Sequence, residues 1–303
     1  MLVLHEITAC EGICTITIGN FDGLHLGHKE VLQAASQSGH PLLAITFSNH
    51  PSTVLHPKNP VPLILTRTHK TMLLEEAGID VLLEIPFTKE FSLQSASEFL
   101  TSLHKKIPFK RLVLGHDATL GHDKQGDKKT ICALAEDLAF EVAYVEEVMV
   151  EGNPLSSSRI RKLIQQGELK KASDLLGRPY SILGKVEHGI GLGGKLGAHT
   201  ANLDVTNLAT PPFGVWAIEA RCGTDVFAAV ANLGIAPTVR REEKVWLEVH
   251  VIDKNVQLEG KLLEVFFLRY MRPEKKFSSL DLLRAQIKDD IREARHFFSR
   301  NNA

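Results

Sequence analysis

The alternation of strand-like and helix-like segments in the first half of the chain limits its fold more than any other feature. Short apolar runs typical of buried strands alternate with stretches whose apolar residues have helical spacing. Strands in this order pair in parallel through right-handed crossovers, with helices on both faces of the sheet. We therefore predict an open, Rossmann-like α/β sheet that binds ligands at the carboxyl ends of its strands. The predicted strands are residues 13–18, 42–47, 81–87, 111–114 and 141–145, and the predicted helices are residues 29–36, 68–77, 95–104 and 128–138.

After residue 180 the pattern changes to short strands separated by glycine-rich loops. Strands this close in sequence predict antiparallel hairpins, and hence a small closed barrel or sandwich. A terminal helix follows, with a capping signal at Ser278 and one apolar face. That face comprises Leu280, Leu283, Ile287, Ile291 and Phe298. We predict a linker near 177–182 and two domains, 1–177 and 178–303. The predicted strands of the second are residues 181–188, 214–221, 226–233, 245–252 and 262–268, preceded by helices at 157–166 and 168–176.

Length and composition exclude several classes of protein. The chain has 303 residues, enough for two hydrophobic cores. Its 35 basic and 36 acidic residues give a net charge of −1, which argues against a general nucleic-acid or anionic-membrane binder. No apolar run approaches the roughly 18 residues of a membrane span, and the first ten residues lack the features of a signal peptide. The cysteines are too scattered for a disulfide framework or a zinc ribbon, so we expect four buried thiols in a cytoplasmic enzyme. They are Cys10, Cys14, Cys132 and Cys222.

Two histidines follow the first predicted strand in the segment I-G-N-F-D-G-L-H-L-G-H, residues 18–28. His25 and His28 are three residues apart, so both can project from the first turn of a helix toward one point. The free N–H groups of that turn favour an anion, and imidazoles there can donate hydrogen bonds to phosphate oxygens. Half of a metal site or ordinary surface polarity would also give this pair, but the glycines favour nucleotide binding. The predicted loop contacts are Gly19, Asn20 and Gly23.

A second anion-binding pattern is the run L-S-S-S-R-I-R, residues 155–161. Hydroxyl groups at a helix start cap free N–H groups, and that role accounts for one of the serines. It leaves Ser157, Ser158 and two arginines, Arg159 and Arg161, in the same turn. Arginine bridges phosphate oxygens well, so this run is interpreted as the second side of a triphosphate site.

A glycine-rich loop at residues 189–197 precedes Thr200 and Asn202. Such a loop lets backbone amides approach phosphates, although a flexible hairpin tip would have the same composition. The hydroxyl of Thr200 and the amide oxygen of Asn202 are neutral ligands suited to a Mg²⁺ ion that already bridges phosphates. The predicted phosphate contacts in the loop are Gly191, Gly193 and Lys195.

The strand at 245–252 alternates between apolar and polar side chains. Leu247 and Val249 face the barrel core in this prediction, which leaves Glu248 and His250 on the outer face. A solvent-exposed glutamate is the ordinary interpretation of such a position.

Four motifs together carry a specific resemblance: G-N-F-D-G-L-H-L-G-H, T-F-S-N-H-P, G-H-D-A-T-L-G and S-S-S-R-I-R. The chain resembles the bacterial bifunctional riboflavin kinase/FAD synthetases over nearly its whole length. The first half is similar to their FMN adenylyltransferase module, a Rossmann-like member of the HxGH nucleotidyltransferases, and the second half to their riboflavin kinase barrel. The resemblance implies phosphorylation of riboflavin to FMN by ATP, then adenylylation of FMN to FAD with release of pyrophosphate, with no nucleic acid or membrane as partner.

The resemblance also implies roles for individual residues. Glu248 corresponds to the general base for the riboflavin 5′-hydroxyl, and Thr200 and Asn202 to residues that hold ATP and Mg²⁺. The implied ATP-phosphate ligands are His25, His28, Ser157, Ser158 and Arg161. The implied flavin-side residues are His50, Asp117, Asn232 and Arg272, although Arg272 is also explained as a plain charge at a helix entry.

The chain departs from the family pattern around both sites. The family has aromatic residues at Ala118 and Leu120 around an arginine that is Thr119 here, a Phe-Pro pair at Ala198 and His199, and a polar residue at Ala236. Two alternatives to a bifunctional enzyme therefore stay open: a chain with only one of the activities, and a non-catalytic flavin- or nucleotide-binding protein.

Overall fold

The computed structural model describes residues 1–7, 12–187, 200–237, 243–254 and 256–301. Its backbone forms two compact units. The first comprises Met1–Ile160 and Leu175–Gly177, and the second comprises Arg161–Asp174 and Arg178–Ala303. The domain boundary after residue 177 stays a prediction.

The first unit is a parallel sheet with helices between its strands, as the alternating pattern predicts. In space, the strands have the order β1-β4-β3-β2-β5-β6. The strands are β1 (Leu2–Leu4), β2 (Cys14–Ile18), β3 (Leu42–Phe47), β4 (Val81–Ile85), β5 (Phe109–Gly115) and β6 (Glu141–Val145), and a short hairpin adds β7 (Met149–Val150) and β8 (Asn153–Pro154). The helices are α1 (Leu26–Ser36), α2 (Ser52–Leu55), α3 (Arg67–Glu76), α4 (Lys89–Ser92), α5 (Ala96–Lys106) and α6 (Lys128–Leu138).

The strand order places a crevice at the carboxyl end of β2. The chain proceeds from β2 to β3 and β4 on one side, and then returns to β5 on the other side of β2. Ligands of open α/β sheets bind at such a switch point. All five residues of β2 are buried, including its threonines, because helices cover both faces of the sheet. The core below the crevice includes Ile16, Leu43, Leu83 and Leu112.

The second unit is an antiparallel, nearly closed barrel, which confirms the predicted fold class. Its strand order is β10-β13-β12-β11-β14-β9, and the amide of Glu187 donates to the carbonyl of Asn202 at 2.8 Å, which joins the two ends. Thr200 and Asn202 lie in a strand, Thr200–Asp204, that is not among the strands predicted from the sequence. The strands are β9 (Ser181–Lys185), β10 (Thr200–Asp204), β11 (Gly214–Cys222), β12 (Asp225–Pro237), β13 (Glu243–Val251) and β14 (Leu262–Arg272), and the helices before them are α7 (Ser157–Gln165) and α8 (Leu169–Leu176).

The terminal helix, α9 (Leu280–Asn301), packs on the barrel through β11 and β12. Ile291 and Ala294 contact a cluster that includes Val215 and Val230. The predicted start of this helix is wrong in two details. Its first turn is capped by the hydroxyl of Ser279, which accepts from the Leu282 amide at 3.3 Å, and not by Ser278; Leu280 is exposed, so the apolar face begins at Leu283.

Only Cys14 is buried among the cysteines that the structure describes. Cys132 and Cys222 are half-buried free thiols, which corrects the expectation of four buried ones, and Cys10 lies outside the described residues. Within the described ranges, every helix is too short or too polar to cross a membrane.

Candidate active sites

The two histidines of the first motif stack on each other at the start of α1. His25 is the N-cap residue, and its Nδ1 accepts the His28 amide at 3.3 Å. The ring centroids are 3.7 Å apart with an interplanar angle of 13°. Gly27 makes this packing possible, because a Cβ atom there would lie 3.3 Å from Cε1 and Nδ1 of His25. The structure therefore brings His25 and His28 to one point at a helix N-terminus.

The loop before α1 has a strained backbone that a buried carboxylate holds in place. Phe21 and Leu24 have φ values of 49° and 40°, which residues with a Cβ rarely adopt. The Asp22 carboxylate accepts the amide of Ile64 at 3.0 Å and that of Leu65 at 3.2 Å. Gly23 has φ +87°, and a Cβ there would lie 2.9 Å from the Ile64 side chain. Strain of this kind is retained where it serves a site.

His28 is held in its neutral form. Its Nδ1 is buried and has no hydrogen-bond partner among the described residues. Burial lowers the pKa of His28 well below its ordinary value, and the neighbouring His25 and Lys70 lower it further. An anion bound here would reverse these effects, because it favours the imidazolium.

The start of α7 lies against the same loop. The Ser157 hydroxyl donates to the Asp22 carbonyl at 2.8 Å, so this helix N-terminus and the histidine loop are joined directly. The serine that caps the helix is Ser156, whose Oγ accepts the Arg159 amide at 3.2 Å. Ser158 is exposed in the same turn.

The two arginines of α7 have different surroundings. Arg159 donates to the carbonyls of Val150 at 3.1 Å and Asn153 at 3.2 Å, so it fastens the β7–β8 hairpin, and its expected role as a second phosphate ligand stays a prediction. Arg161 is buried and lies one turn after Ser157 on α7, in the second compact unit.

A small cavity of about 40 Å³ lies beside the histidine loop at the ends of β2 and β3. Asn20 and His50 both line it, with Asn49 and Lys70. His50 is oriented by Ser52, whose amide donates to His50 Nδ1 at 3.1 Å. Asp117 is exposed at the end of β5 and is not among the residues that line this cavity. Gly19 leaves room for the Phe21 ring, which a Cβ would approach to 3.1 Å.

Sequence reasoning missed Lys70. Its Nζ donates to the Phe47 carbonyl at 2.9 Å and the Thr46 hydroxyl at 3.1 Å, at the end of β3. Burial lowers the pKa of Lys70 despite nearby carboxylates. No sequence periodicity identifies Lys70 as a site residue. It lies more than twenty positions after the β3 residues that it contacts, and only the packing of α3 brings it to them.

The site residues of the barrel share one row of cross-strand pairs. Asn202 on β10 pairs with Glu248 on β13, which pairs with Asn232 on β12. Asn232 pairs with Val215 on β11, and Val215 pairs with Arg272 on β14. Directly paired residues project from the same face of a sheet, so five strands place this row, which is polar except for Val215 and is called the polar row below, on one side. In the next row, Thr200 pairs with His250.

A cavity of about 370 Å³ lies between this face and α9. Asn232, Glu248 and Arg272 of the polar row line it, together with apolar residues from both the sheet and α9. This combination of an apolar slot with a few convergent polar groups is typical of a small-molecule site. The apolar lining residues are Val215, Val230, Phe277, Leu283, Ile287 and Ile291, and the polar ones include Thr200, Asn232, Glu248, Arg272 and Glu274.

Charges in the barrel cavity are arranged around Glu248. Burial raises the pKa of its carboxyl, and the nearby carboxylate of Glu274 raises it further. Arg272 forms a bidentate ion pair with Asp290 of α9, with N–O distances of 2.8 and 2.7 Å. Arg272 is the last residue of β14, so it is not a charge at the start of a helix. The ion pair fixes its guanidinium at the cavity wall. Glu274, like Lys70, lines a cavity but was not identified from the sequence.

The oxygens near Asn202 suit a phosphate-bound Mg²⁺ ion. Asn202 is buried and its amide nitrogen faces the Thr200 carbonyl at 3.4 Å, which leaves its oxygen for a cation. No group of three histidine, cysteine or acidic residues among those described could hold a metal by itself. Such an ion would thus depend on phosphate oxygens as further ligands. The loop contacts Gly191, Gly193 and Lys195, like Ala198 and His199, lie outside the described residues.

Comparison with known families matches each half of the chain separately. The FAD synthetase family model matches residues 7–159, and the riboflavin kinase family model matches residues 176–298. A bifunctional riboflavin kinase/FMN adenylyltransferase from Haemophilus influenzae is 34% identical over 98% of this chain and 98% of its own. The protein of the same name from Bacillus subtilis is 33% identical over 97% and 96%. The chain belongs to this family.

A solved structure is similar to this chain over nearly its whole length. It is described as a macrolide-efflux protein from Streptococcus pneumoniae, is 29% identical, and has a TM-score of 0.80 over 97% of this chain and 99% of its own.

The departures from the family pattern have local structural explanations in the first unit. Ala118 and Leu120 pack against the sheet core, whereas Thr119 between them is exposed. The Ala236 side chain lies outside the described residues.

Proposed function

We propose that this family member phosphorylates riboflavin to FMN in its barrel and adenylylates FMN to FAD in its α/β unit. The observation that carries the proposal is the polar row across five strands, in which Glu248 stands between Asn202 and Asn232 and faces the 370 Å³ cavity. A general base, a metal-binding amide and a slot for a flat ring are the groups that such a kinase needs in one place.

In the kinase step, Glu248 accepts the proton of the riboflavin 5′-hydroxyl. The oxygen then attacks the γ-phosphorus of ATP, and the bond to the ADP oxygen breaks. Its raised pKa makes the carboxylate a stronger proton acceptor. Asn232 and the fixed guanidinium of Arg272 orient the flavin, whose ring system packs on the apolar residues of α9 and the sheet.

Thr200 and Asn202 would hold a Mg²⁺ ion together with the ATP phosphates. When bound, the ion neutralises part of the negative charge that develops on the phosphate oxygens. We include Gly191, Gly193 and Lys195 in the proposed phosphate contacts on the strength of the family resemblance alone.

In the adenylylation step, an FMN phosphate oxygen attacks the α-phosphorus of ATP and the bond to pyrophosphate breaks. His25, His28 and the N-terminus of α1 bind the departing phosphates, with the loop amides at Gly19, Asn20 and Gly23. On the strength of the family resemblance, Ser157, Ser158 and Arg161 of α7 are further proposed ATP-phosphate ligands. His28 donates a hydrogen bond more strongly once phosphate raises its pKa. His50 and Asp117 are the proposed flavin-side residues.

We also propose that the enzyme works in the cytoplasm, where ATP supplies both steps; scattered free thiols at Cys14, Cys132 and Cys222 support this location.

The test is incubation of the purified protein with riboflavin, ATP and Mg²⁺, followed by chromatographic separation of riboflavin, FMN and FAD. The proposal predicts that FMN forms first and FAD follows. FMN without FAD, or FAD only from supplied FMN, would reduce the chain to a single activity. Binding of riboflavin without any turnover would leave a non-catalytic flavin protein.

A further inference from the structure

Lys70 occupies a central place in the first site that neither motif explains. It extends from α3 to the carboxyl ends of the two strands that adjoin the histidine loop. Its ammonium group donates to the Phe47 carbonyl at 2.9 Å and the Thr46 hydroxyl at 3.1 Å, with a longer contact of 3.4 Å to the Asn20 carbonyl. It lines the cavity that contains His50. All three partners are uncharged oxygens, so these contacts orient the ammonium group without cancelling its charge.

The charged groups around Lys70 are already engaged with other partners. The Asp22 carboxylate accepts the Ile64 and Leu65 amides. The buried Glu84 carboxylate forms an ion pair with Arg67, with 2.7 Å between Nε and Oε2. Both carboxylates raise the pKa of Lys70, Arg67 lowers it, and burial has the largest effect and lowers it. The hydrogen bonds of the Lys70 ammonium group given above all go to neutral oxygens, and the Asp22 carboxylate, which also lines the cavity, accepts backbone amides.

We propose that Lys70 binds the phosphate group of FMN and offsets the electrostatic repulsion between this group and the ATP phosphates at the histidines. This inference rests on the proposed adenylyltransferase function. Lys70 lies close enough to His28 for its charge to act on that ring, and it faces the cavity of His50. It thus stands between the predicted positions of the two substrates.

The physical need for such a cation follows from the reaction. The attacking FMN phosphate and the α-phosphate of ATP are both anions, and they must approach to bonding distance. A lysine between them offsets this repulsion, and its charge is worth more in a partly buried site than in water. Before substrates bind, burial lowers the pKa of His28 well below its ordinary value, which disfavours the charged form of that ring.

The competing explanation is that Lys70 only joins the ends of β2 and β3. A purely structural role predicts loss of thermal stability without selectivity between substrates. Phosphate binding predicts a selective rise in KM for FMN. The two explanations therefore differ in a quantity that steady-state kinetics measures directly.

The experiment measures KM for FMN and for ATP in FAD synthesis by the full chain, for the wild type and Lys70→Gln. Loss of one charge-assisted contact to phosphate is expected to raise KM for FMN about tenfold or more. KM for ATP should change by no more than about twofold, which is small compared with the expected rise in KM for FMN. Lys70→Arg should restore most of the FMN affinity, and Lys106→Gln, at an exposed lysine in the last turn of α5, is the matched control. Riboflavin phosphorylation and thermal stability report folding in every variant.

An unchanged KM for FMN in folded Lys70→Gln, or equal rises in both KM values, overturns the role of Lys70 alone. A wild type that makes no FAD from FMN overturns the proposed function as well. If Lys70→Gln does not fold, inhibition of wild-type FAD synthesis by inorganic phosphate is measured instead. Competition of phosphate with FMN supports a separate site for the FMN phosphate, and competition with ATP alone overturns the proposal.

Discussion

The two sites of this chain are built by different means. In the α/β unit, the site is assembled from a strained loop, two helix N-termini and a lysine from a third helix. In the barrel, the site residues are neighbours in one row of β pairing, and their geometry follows from strand register. A site whose geometry is set by strand register resists small backbone shifts. A site whose side chains lie on a loop depends on each residue that holds the loop in place.

The sites also differ in charge. The first has His28 with a buried Nδ1 and a lowered pKa beside Lys70, so an anion bound there would favour the charged imidazolium. The second has a carboxyl group whose pKa burial raises, so it is poised to accept a proton. The difference matches the chemistry proposed for each: charge stabilisation in adenylylation, and proton removal from an alcohol in phosphorylation. Substitutions should therefore separate the two activities.

Glu248→Gln is the change with the largest expected effect. It keeps the shape of the side chain and removes the base, so FMN formation should fall by about 10²- to 10⁴-fold. FAD synthesis from supplied FMN should be unchanged, because the carboxylate lies in the other unit. Chromatography of both reactions measures this. Equal loss of both activities in a folded variant would show that the sites are not separate.

His28→Ala should have the opposite selectivity. Removal of one donor to the developing charge is expected to cost about 10²- to 10³-fold in FAD synthesis. Riboflavin phosphorylation is the internal control and should remain. A variant that makes FAD at the wild-type rate would remove this histidine from the mechanism.

Gly27→Ala tests how far the first site depends on its loop. The new methyl group would meet the His25 ring at 3.3 Å and displace it from its partner. A misplaced ring of this kind is expected to lower FAD synthesis by about 10²-fold or less, since small misplacements carry costs of that order. Kinetics of both reactions provide the measurement. Wild-type FAD synthesis would mean that the stacked geometry is not needed.

The pH dependence of the kinase reaction should show the smallest effect. Glu248 acts as a base only when deprotonated, and its pKa is raised, so activity should fall with decreasing pH at higher values than for an ordinary glutamate. Glu274→Gln removes the neighbouring negative charge, which lowers the pKa of Glu248 and moves this acid limb to lower pH. Arg272 and Lys275 also line the cavity and are unchanged in this variant. An acid limb that stays in place would exclude Glu274 as a cause of the shift.

Much of the fold was predictable because burial leaves a clear pattern. Strands covered on both faces appear as continuous apolar runs, and β3 and β6 begin and end where the sequence predicts. The strand β1 was missed because three residues at a sheet edge carry too little pattern. The strand β10 was missed because the glycines before it dominate the local composition.

The candidate sites were predictable only where function lies in local motifs. His25 and His28 are three positions apart on one helix, and Glu248 stands on a strand with clear alternation. Lys70 and the Arg272–Asp290 pair join positions distant in sequence, and only tertiary packing brings them into the cavities. Arg159 adds a different case, because its motif predicts a phosphate ligand and only the structure shows that its guanidinium also holds the β7–β8 hairpin.

The claim that two independent sites act in sequence is tested most directly by mixing the Glu248→Gln and His28→Ala proteins with riboflavin, ATP and Mg²⁺. Each variant alone should fail to make FAD from riboflavin. The mixture should make it, because FMN released by His28→Ala is a substrate for Glu248→Gln. Absence of FAD from the mixture, while His28→Ala still makes FMN and Glu248→Gln still converts supplied FMN, would contradict sequential action through free FMN. FAD from either variant alone would contradict the assignment of the sites.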